Sequence, residues 1–151
     1  MADTDASSPT DRRLLAIMLV VFVQIAGAGL IIPILPSFAK NDFGLSKAAV
    51  TPLLASYFIA QFFASPVLGR LSDRYGRLPV LIASQIGTAV SFVWLVLAAG
   101  PADLFGARIL DGITGGNILV AQAYVTDITP VARRTQALGM VFGMLGLGFI
   151  V

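Results

Sequence analysis

The sequence contains no cysteine, no histidine and no glutamate. Without cysteine, disulfide bonds, thiolate-bound zinc and thiol catalysis are excluded within these 151 residues. The eight acidic side chains are all aspartates, which leaves few groups for acid–base chemistry. Serine and threonine occur, but there is no histidine and no plausible catalytic triad. We therefore predict that the protein is not an enzyme and has neither a metal site nor a cofactor.

Charged residues are scarce, at 12% of the chain, which is about half their share in soluble domains. Hydrophobic residues make up 57%, and the mean hydropathy is +0.89. A small soluble domain keeps much of its surface exposed, so this composition excludes a soluble fold. The net charge of +2 could suggest nucleic-acid binding. We predict no nucleic-acid partner, because the basic residues lie between apolar runs.

Five apolar runs organise the chain, and a bilayer-spanning helix needs about 20 such residues. We predict an all-α transmembrane fold with helices at about residues 14–36, 48–68, 78–99, 104–126 and 136–151. Strands of a membrane barrel are excluded, because they are about ten residues long with alternating polarity. The fifth run has 16 residues before the sequence ends, so its helix is predicted to be truncated. Polar residues 1–13 are predicted to be disordered.

A secretory signal peptide is the alternative interpretation of the first run. Arg12 and Arg13 would form its basic region, and residues 26–28 resemble a cleavage site. However, the apolar stretch continues to Leu35, and three aspartates precede the arginines. We favour a retained first helix, and a mature protein that begins at Gly29 would contradict this choice.

The distribution of basic residues predicts the orientation of the helices. Arginines precede the first run and fill the loops after the second and fourth runs, whereas the other loops hold only Lys40 and Lys47. Positively charged loops stay in the cytoplasm. We therefore predict a multi-pass protein of the plasma (inner) membrane, surrounded by lipid, with its N-terminus in the cytoplasm.

The fourth run carries charged side chains at membrane depth. Six of its residues project to one side of an ideal helix: Arg108, Asp111, Gly112, Gly115, Leu119 and Gln122. A charge near the bilayer centre costs about 2.5–3.5 kcal/mol, so the two charges should face each other or a wet cavity. The pair could simply neutralise itself, but we favour a role in transport. Our candidates for substrate or proton coupling are Arg108, Asp111, Gln122 and, in the first run, Gln24.

Gln24 has a second interpretation, because a single polar side chain in a membrane helix commonly bonds a neighbouring helix. Small residues four apart also recur in the later runs, and such stripes allow close helix packing. They include Ser56, Ala60 and Ala64, then Ala83, Gly87 and Ser91, then Gly112 and Gly116, and finally Gly139 and Gly143.

The segment after the second run has the most specific pattern, and its residues 69–77 read GRLSDRYGR. Gly69 and Gly76 would permit a tight turn and close helix approach. Asp73 lies in a basic cluster, which favours an ion pair. A generic loop held in the cytoplasm by its arginines would have the same composition.

These residues resemble conserved motifs of a transporter family. Residues 69–81, GRLSDRYGRLPVL, resemble the signature loop of the major facilitator superfamily of secondary transporters. Residues 108–112, RILDG, are similar to the R-x-x-Q-G motif in helix 4 of that family. Residues 27–36, GAGLIIPILP, are similar to helix 1 of its drug:proton antiporter branch, which includes tetracycline efflux pumps.

The resemblance implies a twelve-helix fold that works by alternating access, of which this chain would form the N-terminal five-helix part. It implies export of drug-like molecules in exchange for protons, with the C-terminal helices of the same transporter as partners. Arg108 would take part in coupling. Asp73 would contact the other half of the fold, and Arg77 would pair with Asp127. The implied conformational-switch residues are Gly69, Asp73, Arg74, Gly76, Arg77 and Asp127.

The chain departs from the family pattern at two candidate positions. Gln24 stands where many antiporters of this branch carry an acid, and glutamine cannot release a proton. Asp111 replaces the usual glutamine of the helix-4 motif, so we hypothesise that Asp111 carries the proton. Alternative functions are a non-transporting truncated helix bundle, a membrane protein that binds partner membrane proteins and, more remotely, an oligomeric proton-gated pore.

Overall fold

The computed structural model of the protein describes residues 9–150, and over this range it contains helices and no strand. The all-α prediction is therefore confirmed for that range. The elements are α1 (Pro9–Asn41), α2 (Lys47–Tyr75), α3 (Arg77–Val96), α4 (Pro101–Gly115), α5 (Asn117–Ile128), a short 3₁₀ helix (Val131–Arg133) and α6 (Arg134–Ile150).

Four segments of the described chain are long and apolar enough to cross a membrane. They are Leu14–Asn41, Lys47–Tyr75, Arg77–Val96 and Pro101–Ile128. The last segment comprises both α4 and α5, so the fourth predicted span consists of two helices. The fifth predicted span corresponds to α6, which has 17 residues within the described range.

Helix α1 extends beyond the predicted run at both ends. It begins at Pro9, so residues 9–13 are helical rather than disordered, whereas residues 1–8 lie outside the described range. It also continues past the two internal prolines to Asn41. The chain then turns at Gly44, whose φ of +63° favours glycine. The amides of Gly44 and Leu45 bond the carbonyls of Lys40 and Ala39, both at 3.1 Å.

The predicted loop after the second run is mostly helical. Helix α2 continues to Tyr75, and a single residue, Gly76, joins it to α3. Gly76 has a φ of +96°, which side chains with a Cβ rarely adopt, and this confirms the tight turn there. Gly69 lies inside α2, and a Cβ added to it would have no described atom within 4 Å. Within the described residues no helix approaches α2 closely at Gly69, where this side of α2 faces an open groove.

The second and fourth spans cross closely at Gly112, where the absence of a side chain leaves room for α2. A Cβ on Gly112 would collide with the backbone oxygen of Tyr57 and lie 2.8 Å from the Cβ of Ala60. The small-residue stripes of α2 and α4 therefore pack closely against each other at this crossing, as predicted. On α6, by contrast, a Cβ on Gly139 or Gly143 would meet no described atom within 4 Å. The stripe on α6 therefore packs against nothing in the described bundle.

Two apolar clusters stabilise the bundle. One contains Ile17, Val21, Leu81, Val120, Ala121, Val125, Ala137 and Val141. The other contains Leu35, Ala39, Leu53 and Leu104. Along α1 and along the fourth span, polar residues lie between the members of these two clusters. The outer surface is strongly apolar, and the side chain of Phe62 is 75% exposed, as expected for a helix that contacts lipid.

We expect Gly112→Ala to destabilise the chain by about 1–3 kcal/mol, because the new methyl group would push α2 and α4 apart. Gly139→Ala is the matched control, since its methyl group would enter open space. Denaturant titration in detergent micelles measures both free energies of unfolding. Equal effects of the two substitutions would show that the crossing does not depend on Gly112.

Candidate functional site

A buried ion pair lies at the centre of the candidate site. Nη2 of Arg108 is 2.5 Å from Oδ2 of Asp111, one helical turn further along α4. The two residues are only 5% and 4% exposed. Of the two arrangements expected for charges at this depth, the structure contains the one in which they face each other.

Side chains from α2 and α3 surround the pair. The guanidinium carbon of Arg108 lies 5.4 Å from the centre of the Tyr57 ring, within the range of a cation–π interaction. Thr88 and Ser91 of α3 face the Asp111 carboxylate. Sequence reasoning missed these three neighbours, because only the packing of α2 and α3 against α4 brings them there. The small-residue stripe that contains Ser91 was the one available signal.

The ion pair leaves one polar atom unmatched. Nε of Arg108 is buried and has no hydrogen-bond acceptor in the described part of the chain. A buried donor without a partner costs about 1–3 kcal/mol. A pair that only neutralises two charges does not account for this donor. A hydrogen-bond acceptor that reached Nε would remove the penalty, so the site is suited to bind one.

The fourth span is interrupted at Gly116, next to the ion pair. Helix α4 ends at Gly115, and α5 begins at Asn117. Nε2 of Gln61 donates a 3.0 Å hydrogen bond to the Gly115 carbonyl from α2. Gln61 is a further residue that sequence reasoning missed. We refer to Gly115, Gly116 and Asn117 as the joint of the fourth span.

The joint changes which residues share a face. Arg108, Asp111, Gly112 and Gly115 are buried together, as predicted. Leu119 is 57% exposed, and Gln122 is half-buried on α5. The prediction of one continuous face is therefore wrong beyond the joint, because it assumed an unbroken helix at 100° per residue.

Gln24 is buried against α5, and its Oε1 accepts a 3.3 Å hydrogen bond from Nδ2 of Asn117. This contact ties α1 to the joint. It matches the interpretation of Gln24 as a bond between helices. The structure thus places Gln24 beside the joint rather than in contact with the Arg108–Asp111 pair.

A second cluster of charges lies at the ends of α2, α3 and α5. Arg77 contacts Oδ1 of Asp73 at 2.7 Å and Oδ2 of Asp127 at 3.1 Å. It also donates a 2.8 Å hydrogen bond to Oγ of Ser72, which is buried. The Arg77–Asp127 pair expected from the resemblance is present. Because a cation at the start of α3 and an anion at the end of α5 both oppose the helix dipoles, their pairing offsets two unfavourable placements.

The remaining switch candidates lie outside this cluster. Arg74 lies with its guanidinium carbon 5.4 Å from the ring centre of the adjacent Tyr75. Gly69 lines a groove between α2 and α5 with Phe62, Phe63, Leu119 and Ala123, and Arg77 lies at the same groove. The cavity in this groove measures about 640 Å³.

The sequence profile of the Major Facilitator Superfamily matches residues 17–151. The chain therefore belongs to this family, which confirms the resemblance seen in its motifs. Its four apolar helical segments are those of a multi-pass membrane protein.

Several curated relatives are similar over most of the chain. The class H tetracycline resistance protein of Pasteurella multocida is 35% identical over 144 residues, which cover 93% of this chain and 36% of that protein. The class C protein of Escherichia coli is 36% identical, with the same coverage of 93% and 36%. Multidrug resistance protein 2 of Bacillus subtilis (strain 168) is 36% identical, covering 87% and 33%. The chain thus spans about a third of the length of these relatives.

We expect Asp127→Arg to destabilise the chain, because it places two cations side by side at the start of α3. Combining it with Arg77→Asp should restore part of the lost stability, with a coupling free energy of about 0.5–1 kcal/mol for a partly exposed pair. The rescue should be incomplete, since Asp73 would then face a second carboxylate. Unfolding in detergent measures all four free energies, and strictly additive losses would contradict the pairing.

Proposed function

We propose that the chain forms the N-terminal part of a secondary active transporter that exports drug-like small molecules in exchange for protons. The Arg108–Asp111 pair is the observation that carries this proposal. Burying two ionisable groups in a membrane span costs free energy, and such groups generally mark a path for substrate or ions. The proposed protein is not an enzyme and acts in the inner membrane, with the arginine-rich ends of its helices in the cytoplasm.

The names of the relatives support the proposed cargo. Two of them are tetracycline resistance proteins and one is a multidrug resistance protein. Because this chain spans about a third of their length, further helices would complete the substrate cavity. Those helices would cover the groove beside Gly69 and the Phe62 surface, both of which are apolar and exposed.

Asp111 is the proposed proton carrier. The charged or titratable groups that face it are Arg108 on its own helix and Tyr57 on α2, while α3 presents the neutral hydroxyls of Thr88 and Ser91. A proton on Asp111 would cancel its charge and weaken its bond to Arg108. The guanidinium would then be free to bind an acceptor group of the cargo, including through Nε.

Alternating access would use the second charged cluster. Asp73 has an exposed side chain beside Arg77, where a helix from the remainder of the transporter could contact it. The Arg77–Asp127 pair would hold the ends of α3 and α5 together. In this proposal the cluster stabilises one conformation, and the Arg108–Asp111 pair responds to protonation.

Transport into inverted membrane vesicles that contain the full-length gene product tests the function, with tetracycline as the probe. We expect uptake only when the vesicle interior is acidic. Uptake that is absent in both conditions, in vesicles that contain inserted protein, would favour the non-transporting helix bundle. Uptake that ignores the pH gradient would refute proton exchange.

We expect Asp111→Asn to abolish the dependence of this uptake on the pH gradient, because an amide cannot exchange a proton. Asp42→Asn is the matched control, since it removes an exposed acid from the turn between α1 and α2. Initial rates measured from pH 5 to pH 9 compare the three proteins. An unchanged pH profile in Asp111→Asn would remove Asp111 from the mechanism.

A further inference from the structure

Tyr57 contacts both the ion pair and the joint, although nothing in the motif pattern marks it. We infer that Tyr57 is a positioning residue: its ring orients the Arg108 guanidinium, and with Gln61 it couples the Arg108–Asp111 pair to the joint. This inference rests on the proposed transport function and extends it to α2. Three separate contacts carry the argument.

The first contact is the ring. The guanidinium carbon of Arg108 lies 5.4 Å from the ring centre, and Asp111 holds the guanidinium through Nη2. A cation over an aromatic face is attracted by the ring quadrupole, most strongly where water is excluded. The ion pair fixes one end of the guanidinium, and the ring restricts its rotation about that end. Tyr57 therefore determines the direction in which the unmatched Nε points.

The second contact is between Tyr57 and two glycines of α4. A Cβ on Gly115 would lie 2.7 Å from Oη of Tyr57. A Cβ on Gly112 would collide with the backbone oxygen of Tyr57. Both positions must therefore lack a side chain for Tyr57 to occupy this place. Its hydroxyl consequently sits against the last residue of α4, next to the break.

The third contact is made by Gln61, one turn after Tyr57 on α2. Its Nε2 donates to the Gly115 carbonyl at 3.0 Å, and its side chain lies beside the Tyr57 hydroxyl. Carbonyls at the end of a helix have no partner within the helix, and in lipid they need one from elsewhere. Gln61 supplies that partner. A movement of α2 would thus shift the guanidinium and the joint together.

Fluorination of the ring tests the first contact without relying on transport. Residue 57 is replaced by phenylalanine carrying no, one, two or three ring fluorines, which weaken the quadrupole with little change in size. We expect the unfolding equilibrium constant in detergent to rise about threefold to tenfold across the series. In an Arg108→Met background, the same series should be flat. A flat series in both backgrounds, or equal slopes in both, would overturn the inference.

Measurements of kcat and KM for uptake distinguish a positioning role of Tyr57 from a role in helix packing alone. We expect Tyr57→Leu to lower the kcat of tetracycline uptake about tenfold with KM within about twofold, whereas Tyr57→Phe keeps most of the rate. Gln61→Leu should lower kcat similarly. Gln85→Leu is its control, because it removes a bond of the same kind, from α3 to the Val20 carbonyl, whose partners are neither Tyr57 nor a residue of the joint. Equal losses in Gln61→Leu and Gln85→Leu would overturn the coupling to the joint.

The two proposals fail in different ways. If the unmodified protein shows no uptake, the proposed function and the transport role of Tyr57 both fail. If uptake is intact but the fluorine series is flat, or Tyr57→Leu keeps its kcat, only the inference about Tyr57 fails.

Discussion

The contact between Arg108 and Asp111 is the constraint on which the rest of the bundle depends. An isolated charge is costly inside an apolar surrounding, and the cost falls when an opposite charge lies within hydrogen-bond distance. Both residues lie between two apolar clusters, so water cannot easily replace either partner. The helices must therefore bring polar groups to this level, and α2 and α3 do so with Tyr57, Thr88 and Ser91.

The polar side chains around the ion pair can meet because α2 and α4 approach closely at Gly112. At Gly112 the backbone of α2 lies where a side chain would otherwise be. The same approach allows Gln61 to reach the carbonyl at the end of α4, and Asn117 bonds Gln24 just beyond the break. In lipid, backbone groups freed by an interruption need partners from the protein. The joint of the fourth span is therefore stabilised by side chains from two other helices.

The fourth span connects two charged centres of different character. The pair on α4 is almost completely buried, so each charge depends on the other for neutralisation. The cluster around Arg77 is partly exposed and bonds three helix ends, so it is suited to fixing their arrangement. Asp127 belongs to α5, which begins at the joint. One short helix thus connects the joint with the exposed cluster.

Local sequence determined the helical class of this protein, the approximate positions of its apolar segments, the turn at Gly76 and the likeness of its motifs to a transporter family. It also placed Arg108 and Asp111 within one turn, because residues three apart are neighbours on any helix. Tertiary structure alone decided the rest: that Tyr57 lies beneath Arg108, that Gln61 bonds Gly115, and that Gln24 bonds Asn117. It also decided that the fourth span breaks at Gly116, which moved Leu119 off the predicted face. Periodicity describes one straight helix, whereas these contacts depend on how separate helices cross.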